Sequence, residues 1–287
     1  MSRILVTGAT GRLGQLIVER LVAQNRTVRI LTRRPEAARD LFGATVQIFA
    51  GEFADRISLD AATQGVDRLL LLSPISERLA ADQIVVADAA QAAGVRRIVK
   101  ISGSDWTIDP PGLSISGDAH AAVEQYLRRL AIDSVSLRPN AWMQVSLANT
   151  IRQVLVGNPI SVANPEAGVG YIDARDIADV AVHQLLDEKV SSTPLNLTGP
   201  EIVTPRQIAS LLSTVLKRPV ALVERPPSAL TPDADFEHRA VAQFGCLIAA
   251  GRAAVTTGVV ASLLGRPSRS IEAFISEQLA IEAALAG

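Results

Sequence analysis

Val6-Thr7-Gly8-Ala9-Thr10-Gly11-Arg12-Leu13-Gly14 lies between an apolar run at residues 3–7 and a segment, residues 12–24, where Leu13, Leu16, Ile17, Val18 and Leu21 recur at helical spacing. A strand that turns through G-x-x-G-x-x-G into a helix is suited to holding a pyrophosphate. Glycine permits the tight turn and the close approach of backbone amides, and the helix N-terminus favours negative charge. A glycine-rich turn alone would carry little weight. Here strand, motif and helix follow in register, which assigns Thr7, Gly8, Thr10, Gly11, Arg12, Leu13 and Gly14 to a dinucleotide.

Outward from this loop, strand-like and helical runs alternate. Strands are expected at residues 27–31, 46–49, 67–72, 97–101 and 134–137, and helices at 35–41, 80–93 and 119–130. Gly94 is the expected left-handed stop of the helix before it. This alternation predicts an α/β chain of Rossmann type, a doubly wound parallel sheet that binds ligands at the carboxyl ends of its strands. The second half is less regular. Thr204-Pro205 starts a helix over 206–216, a short strand follows at 219–224, and Pro226-Pro227 and Thr231-Pro232 bound a linker. The expected division is a dinucleotide-binding domain at residues 1–150 and, at 151–287, a region that completes the sheet and forms a smaller substrate-binding lid.

The second strand ends Ile30-Leu31-Thr32-Arg33-Arg34-Pro35, with no acid to hydrogen-bond a ribose 2′-hydroxyl. An acid there would repel a 2′-phosphate, whereas Arg33 and Arg34 can grip one through charge-assisted forks. Arginines beside the positive end of a helix are unfavourable unless an anion is present. The cofactor expected is NADP(H).

Composition narrows the rest. The 287 residues are 48% hydrophobic with a net charge of −1, which gives no electrostatic reason to expect nucleic acid or an anionic membrane as partner. Only Lys100, Lys189 and Lys217 among the 28 basic residues are lysines. One cysteine, Cys246, and three scattered histidines offer no metal motif. The apolar stretch at 245–265 is interrupted by Arg252 and reads as a buried or lid helix pair, not a bilayer span. The first residues run straight into a strand with no leader pattern, so a cytoplasmic location is expected. Oligomeric state is not readable.

The chain resembles the NmrA-like group of atypical short-chain dehydrogenase/reductases, among them NADPH-dependent quinone oxidoreductases and triphenylmethane reductase-type enzymes. The resemblance lies in Val6-Thr7-Gly8-Ala9-Thr10-Gly11, Thr32-Arg33-Arg34-Pro35, Ala93-Gly94-Val95, Leu137-Arg138-Pro139-Asn140, Tyr171-Ile172-Asp173-Ala174-Arg175-Asp176 and Asn196-Leu197-Thr198-Gly199-Pro200. It implies that Glu52 and Phe53 lie beside the adenine, Ser73 and Pro74 beside the riboses, and Pro139 and Asn140 beside the nicotinamide.

The usual proton-donating pair of the wider superfamily, Y-x-x-x-K, is absent: Leu130 and Arg175 stand four residues after Tyr126 and Tyr171. Counted in the family's register back from Glu124, its lysine position is His120 and its tyrosine position Ser116. His120 and Glu124 share a helix face, and His120 suits a general acid or a ribose contact. Ser102 and Ser104 stand where the superfamily carries its carbonyl-orienting serine. Trp106, Trp142, Met143 and Phe236 are candidate substrate-lining residues. A reductase lacking the dyad can still act by holding hydride donor and acceptor together, with the proton from His120, a serine, water or a substrate phenol. The substrate class expected is a quinone, an aromatic ketone or an aromatic polyketide, as in antibiotic biosynthesis. The alternatives are a non-catalytic NADP(H)-binding redox sensor, a sugar-nucleotide epimerase and an isoflavone-reductase-like enzyme, the last two weakened by the missing lysine.

Overall fold

Short strands buried on both faces fix the architecture: Arg97–Ile101 is buried at every position, and the three leucines of Arg68–Leu71 are fully buried. Such strands need helices on both sides, which in turn requires crossover connections and parallel pairing. The computed structural model describes residues 3–189, 191, 193–226 and 233–286. The expected linker overlaps residues 227–232, outside the described residues.

The first half runs β1 (Arg3–Thr7), α1 (Arg12–Ala23), β2 (Thr27–Thr32), α2 (Pro35–Phe42), β3 (Gln47–Ala50), α3 (Arg56–Thr63), β4 (Arg68–Leu71), α4 (Leu79–Ala92), β5 (Arg97–Ile101), α5 (Asp105–Ile108), α6 (Ile115–Leu127) and β6 (Asp133–Pro139). Then come α7 (Met143–Leu155), β7 (Ile160–Val162), α8 (Ala174–Leu186), β8 (Leu195–Leu197), α9 (Pro205–Leu216), β9 (Leu222–Glu224), α10 (Phe236–Ala249), α11 (Val259–Leu264) and α12 (Ile271–Ala286). One sheet has seven strands in the order β3-β2-β1-β4-β5-β6-β8, and β7 pairs with β9 in a second. β1 pairs in parallel with β2 and β4, and β5 with β4 and β6: Val6 lies opposite Ile30 and Leu70, and Val99 opposite Leu70 and Val135. The strand order reverses beside β1, which puts the switch point at the glycine loop.

The chain forms two compact units. One comprises Met1–Gly103, Ser116–Arg138 and Ile177–Leu195; the other comprises Ser104–Ile115, Pro139–Asp176 and Asn196–Gly287. They interleave along the sequence, whereas the expected division was a single cut at residue 150. The core of the first unit includes Leu5, Leu69, Leu71, Val86, Ile98 and Val123, and that of the second includes Leu147, Ile151, Val169, Leu212 and Phe274.

Several boundaries differ from those the sequence suggests. The helix expected at 119–130 begins at Ile115 and ends at Leu127, taking in Ser116 and Gly117, residues of modest helix propensity that packing overrides. Helix α7 opens after Trp142 with no capping side chain, so no local start signal marks it. Thr204 caps α9 as expected, in a capping box with Gln207. The apolar stretch near the end breaks at Gly251, where φ is 80°, into α10 and α11. Among the described residues no helix is long and apolar enough to cross a membrane, and no group of His, Cys, Asp and Glu is placed to hold a metal.

Candidate functional site

In the first unit, the glycine loop is held by backbone geometry and one threonine. The buried Thr7 hydroxyl donates to the Leu72 carbonyl (2.8 Å) and accepts from the Leu72 amide (2.8 Å), locking the end of β1 to the end of β4. Gly8 has φ 64°, and a Cβ there would lie 2.9 Å from Leu72. A Cβ on Gly14 would meet the Gly8 carbonyl and lie 2.7 Å from the Ala9 Cα, so the third glycine lets the helix start pack against the turn. Gly11 caps α1 without a side-chain bond, the first turn carries no acid, and Gly11 and Arg12 remain exposed. An open, positively polarised helix start of this kind fits a pyrophosphate.

Beside the loop, Arg34 donates from Nη2 to the Thr10 hydroxyl (3.0 Å), and its amide donates to the Thr32 hydroxyl (3.0 Å). Arg33 is exposed and makes no hydrogen bond or ion pair among the described residues. Arg34 thus lies against the loop, and neither it nor Arg33 before it has a carboxylate partner among the described residues. Glu52 is exposed and Phe53 half-buried after β3. Ser73 is half-buried after β4, where Gln83 Nε2 donates to its hydroxyl (2.8 Å), and Pro74 is exposed.

At the ends of β5 and β6, still within the first unit, lies a buried polar cluster. Lys100 on β5 is fully buried; its Nζ lies 2.8 Å from His120 Nδ1 and donates to Ser102 Oγ (3.2 Å) and the Ile101 carbonyl (3.3 Å). The Ser102 hydroxyl donates to Glu124 Oε1 (2.6 Å), and Arg138 clasps both Glu124 oxygens, at 3.0 and 2.5 Å. Burial lowers the Lys100 ammonium to about 7, against the attraction of Glu124 and with help from Arg138. Burial, then the Lys100 charge, holds His120 well below the ordinary histidine range. Glu124 would be raised by burial, but Arg138, Ser102 and Lys100 keep it ionised. His120 is accordingly a neutral ring at pH 7, not the readily protonated imidazole that its ordinary titration range suggests. Its Nε2 has no hydrogen-bond partner among the described residues.

A model of the NmrA-like family matches residues 1–243. The chain belongs to the NmrA-like family. It is 35% identical, over 77% of its length and 76% of the relative's, to a (4-alkanoyl-5-oxo-2,5-dihydrofuran-3-yl)methyl phosphate reductase of Streptomyces griseus. It is 29% identical to the NAD(P)H azoreductase of Xenophilus azovorans, over 94% and 96% of the two chains. In fold it superposes on the NADPH-dependent quinone oxidoreductase of Escherichia coli, crystallised with NADPH, at a TM-score of 0.85 and 22% identity, covering 96% of this chain and 99% of that one.

The remaining residues singled out in this NmrA-like chain divide by environment. Ser116 is buried in the first turn of α6, four residues before His120. In the second unit, Ser104 donates its proton to the Pro139 carbonyl (2.7 Å). Asn140 accepts from Trp106 Nε1 (2.8 Å) and donates to the Ala253 carbonyl (3.0 Å). Trp106 packs on Phe244 with ring centroids 4.6 Å apart, Met143 is buried, and Trp142 and Phe236 are half-buried. Tyr171, also here, is buried and its phenol pushed up to about 12 by desolvation. Tyr126, in the first unit, donates its hydroxyl to Asp88.

Sequence spacing missed Lys100. A search for lysine four residues beyond a tyrosine looks along one helix, whereas this lysine arrives from a strand. One signal was present: a lone lysine in Ile98-Val99-Lys100-Ile101, inside a strand buried on both faces, requires a polar partner. Ser102, two residues on, shares its face.

Proposed function

We propose that the chain is an NADP(H)-dependent reductase of conjugated acceptors: quinones, aromatic ketones and related electron-poor systems, with aromatic polyketide ketones as the narrower class. The observation that carries this reading is the glycine loop with Arg34 bonded to its Thr10, and the run Arg33-Arg34 in place of an acid at the end of β2. Bound NADPH would supply a hydride. The loop amides and the start of α1 hold the pyrophosphate, and Arg33 and Arg34, with Arg12, hold the 2′-phosphate. Glu52 and Phe53 are assigned to the adenine, Ser73 and Pro74 to the riboses, and Pro139 and Asn140 to the nicotinamide. Trp106, Trp142, Met143 and Phe236 are the candidates for an aromatic substrate.

The substrate class follows from the acid–base chemistry on hand. With neither tyrosine placed as an acid beside a lysine, acceptors whose developing charge is delocalised are favoured over simple ketones. The names of the relatives point the same way, since they carry an unsaturated lactone, an azo group and a quinone. Among the proposed donors, the Ser102 and Ser104 hydroxyl protons are committed to Glu124 and the Pro139 carbonyl, which leaves His120 Nε2 the better placed.

The test is NADPH oxidation, followed by absorbance, with a panel of quinones, azo dyes and aromatic ketones, alongside dissociation constants for NADPH and NADH. NADPH is expected to bind tighter, and Arg34→Glu to weaken it by about 10- to 100-fold while changing NADH little. Equal affinity for the two cofactors would overturn the assignment. Tight NADPH binding with no turnover across the panel would favour a sensor.

A further inference from the structure

The cluster beneath the strand ends contains more than a histidine requires if that histidine acts alone. A lysine with no exposed surface is costly to bury, and Lys100 is held there by bonds from Nζ to Ser102 Oγ and the Ile101 carbonyl. Its closest polar neighbour is the ring nitrogen of a histidine whose other nitrogen has no hydrogen-bond partner among the described residues. We propose that Lys100 is a positioning residue and proton source behind His120: its Nζ–H donates to Nδ1, fixing the ring as the Nε2–H tautomer, and the pair relays one proton to the acceptor. The proposal rests on the reductase reading.

The acceptor carbon takes a hydride from NADPH, and the negative charge develops on its oxygen. The Nε2–H bond of His120 breaks toward that oxygen as an Nζ–H bond of Lys100 breaks toward Nδ1. The product leaves protonated, His120 remains neutral with its proton on Nδ1, and Lys100 becomes an amine. A solvent proton entering at Nε2 returns the pair to its starting state by the reverse path. No second oxidant or reductant is needed.

The surroundings suit this. The charged groups facing the pair are Glu124, from α6, and Arg138, from β6. Glu124 reaches Lys100 through Ser102, which accepts from Nζ and donates to the carboxylate, so its attraction favours the ammonium while Arg138 and burial oppose it. The balance leaves a lysine able to lose and regain a proton near neutrality, as a relay needs. A histidine alone in this site would have to become an imidazolium, which burial and the neighbouring ammonium disfavour.

The test begins with the ligand-free protein. With 15N-labelled histidine and only three histidines in the chain, His120 is assigned by the signal lost in His120→Gln. At about pH 6 it should be neutral and protonated on Nε2. In Lys100→Met its titration midpoint should move upward and the tautomer preference relax. In turnover, Lys100→Met should lower kcat by about 100-fold and leave the KM for NADPH within about threefold. A wild-type His120 that is an imidazolium or Nδ1-protonated at that pH overturns the relay, a result that needs no folded variant. Lys100→Met turnover within about threefold of wild type overturns it too. Wild type with the expected tautomer but no NADPH oxidation overturns the reductase reading, and the relay with it. Wild type that turns over with the other tautomer overturns the relay alone.

Discussion

The glycine loop at residues 8–14 and the Lys100–His120 cluster solve opposite electrostatic problems within one unit. The loop concentrates positive potential where water reaches it: a helix start without a side-chain cap or an acid in its first turn, and exposed arginines. The cluster holds Lys100 and Glu124 out of water, with the half-buried Arg138 beside them, and satisfies them internally, so its charges are spent before any ligand arrives. The first arrangement stores binding energy for an anion, and the second stores acid–base capacity. The loop should therefore respond to substitution in affinity, and the cluster in stability and pH dependence.

The strongest test of that contrast is Glu124→Gln. It leaves the half-buried Arg138 without its carboxylate and Lys100 without its main attraction, and should destabilise the fold by about 3 kcal/mol, read as a lowered denaturant midpoint. If NADPH affinity fell more than stability did, the two regions would not be separable. Gly14→Val comes next: its side chain meets the Gly8 carbonyl and Ala9, and NADPH affinity should drop about 100-fold, near ~3 kcal/mol, by calorimetric titration. The most gradual effect is in the pH profile of stability. Lys100 is lowered from 10.5 to about 7, so between those values the unfolded chain binds a proton that the folded chain has released. Stability should accordingly rise with pH across this window, by at most ~1.4 kcal/mol per unit, and Lys100→Met should flatten that slope. A flat profile would mean that the folded protein keeps the lysine charged.

How far each region could be read beforehand follows from the same contrast. The loop is local: glycine spacing, the strand before it, the helix after it and the absence of an acid after Thr32 all lie within thirty-odd residues of chain, and the parallel sheet follows from the same alternation. The cluster is assembled across β5, α6 and β6, and its contacts span 14 to 22 residues with no periodic signature. Spacing put His120 and Glu124 on one face of a helix, and both are buried, but only the fold brings Lys100 to Nδ1. The uncapped α7 and the early start of α6 escaped for a related reason, since packing and not local propensity sets them.

Residues 177–195 bear on how the chain becomes a protein at all. Asp179 of α8 holds Arg20 of α1 at 2.5 Å, and Arg97 of β5 donates to the carbonyl of Glu188 at 2.9 Å. The helix that follows the glycine loop thus closes against a segment emerging from the ribosome some 160 residues later. Synthesis must run well past the last strand of the first half before the nucleotide-binding unit has all its parts. A fragment cut at residue 150 would carry every glycine of the loop and lack the piece that braces it.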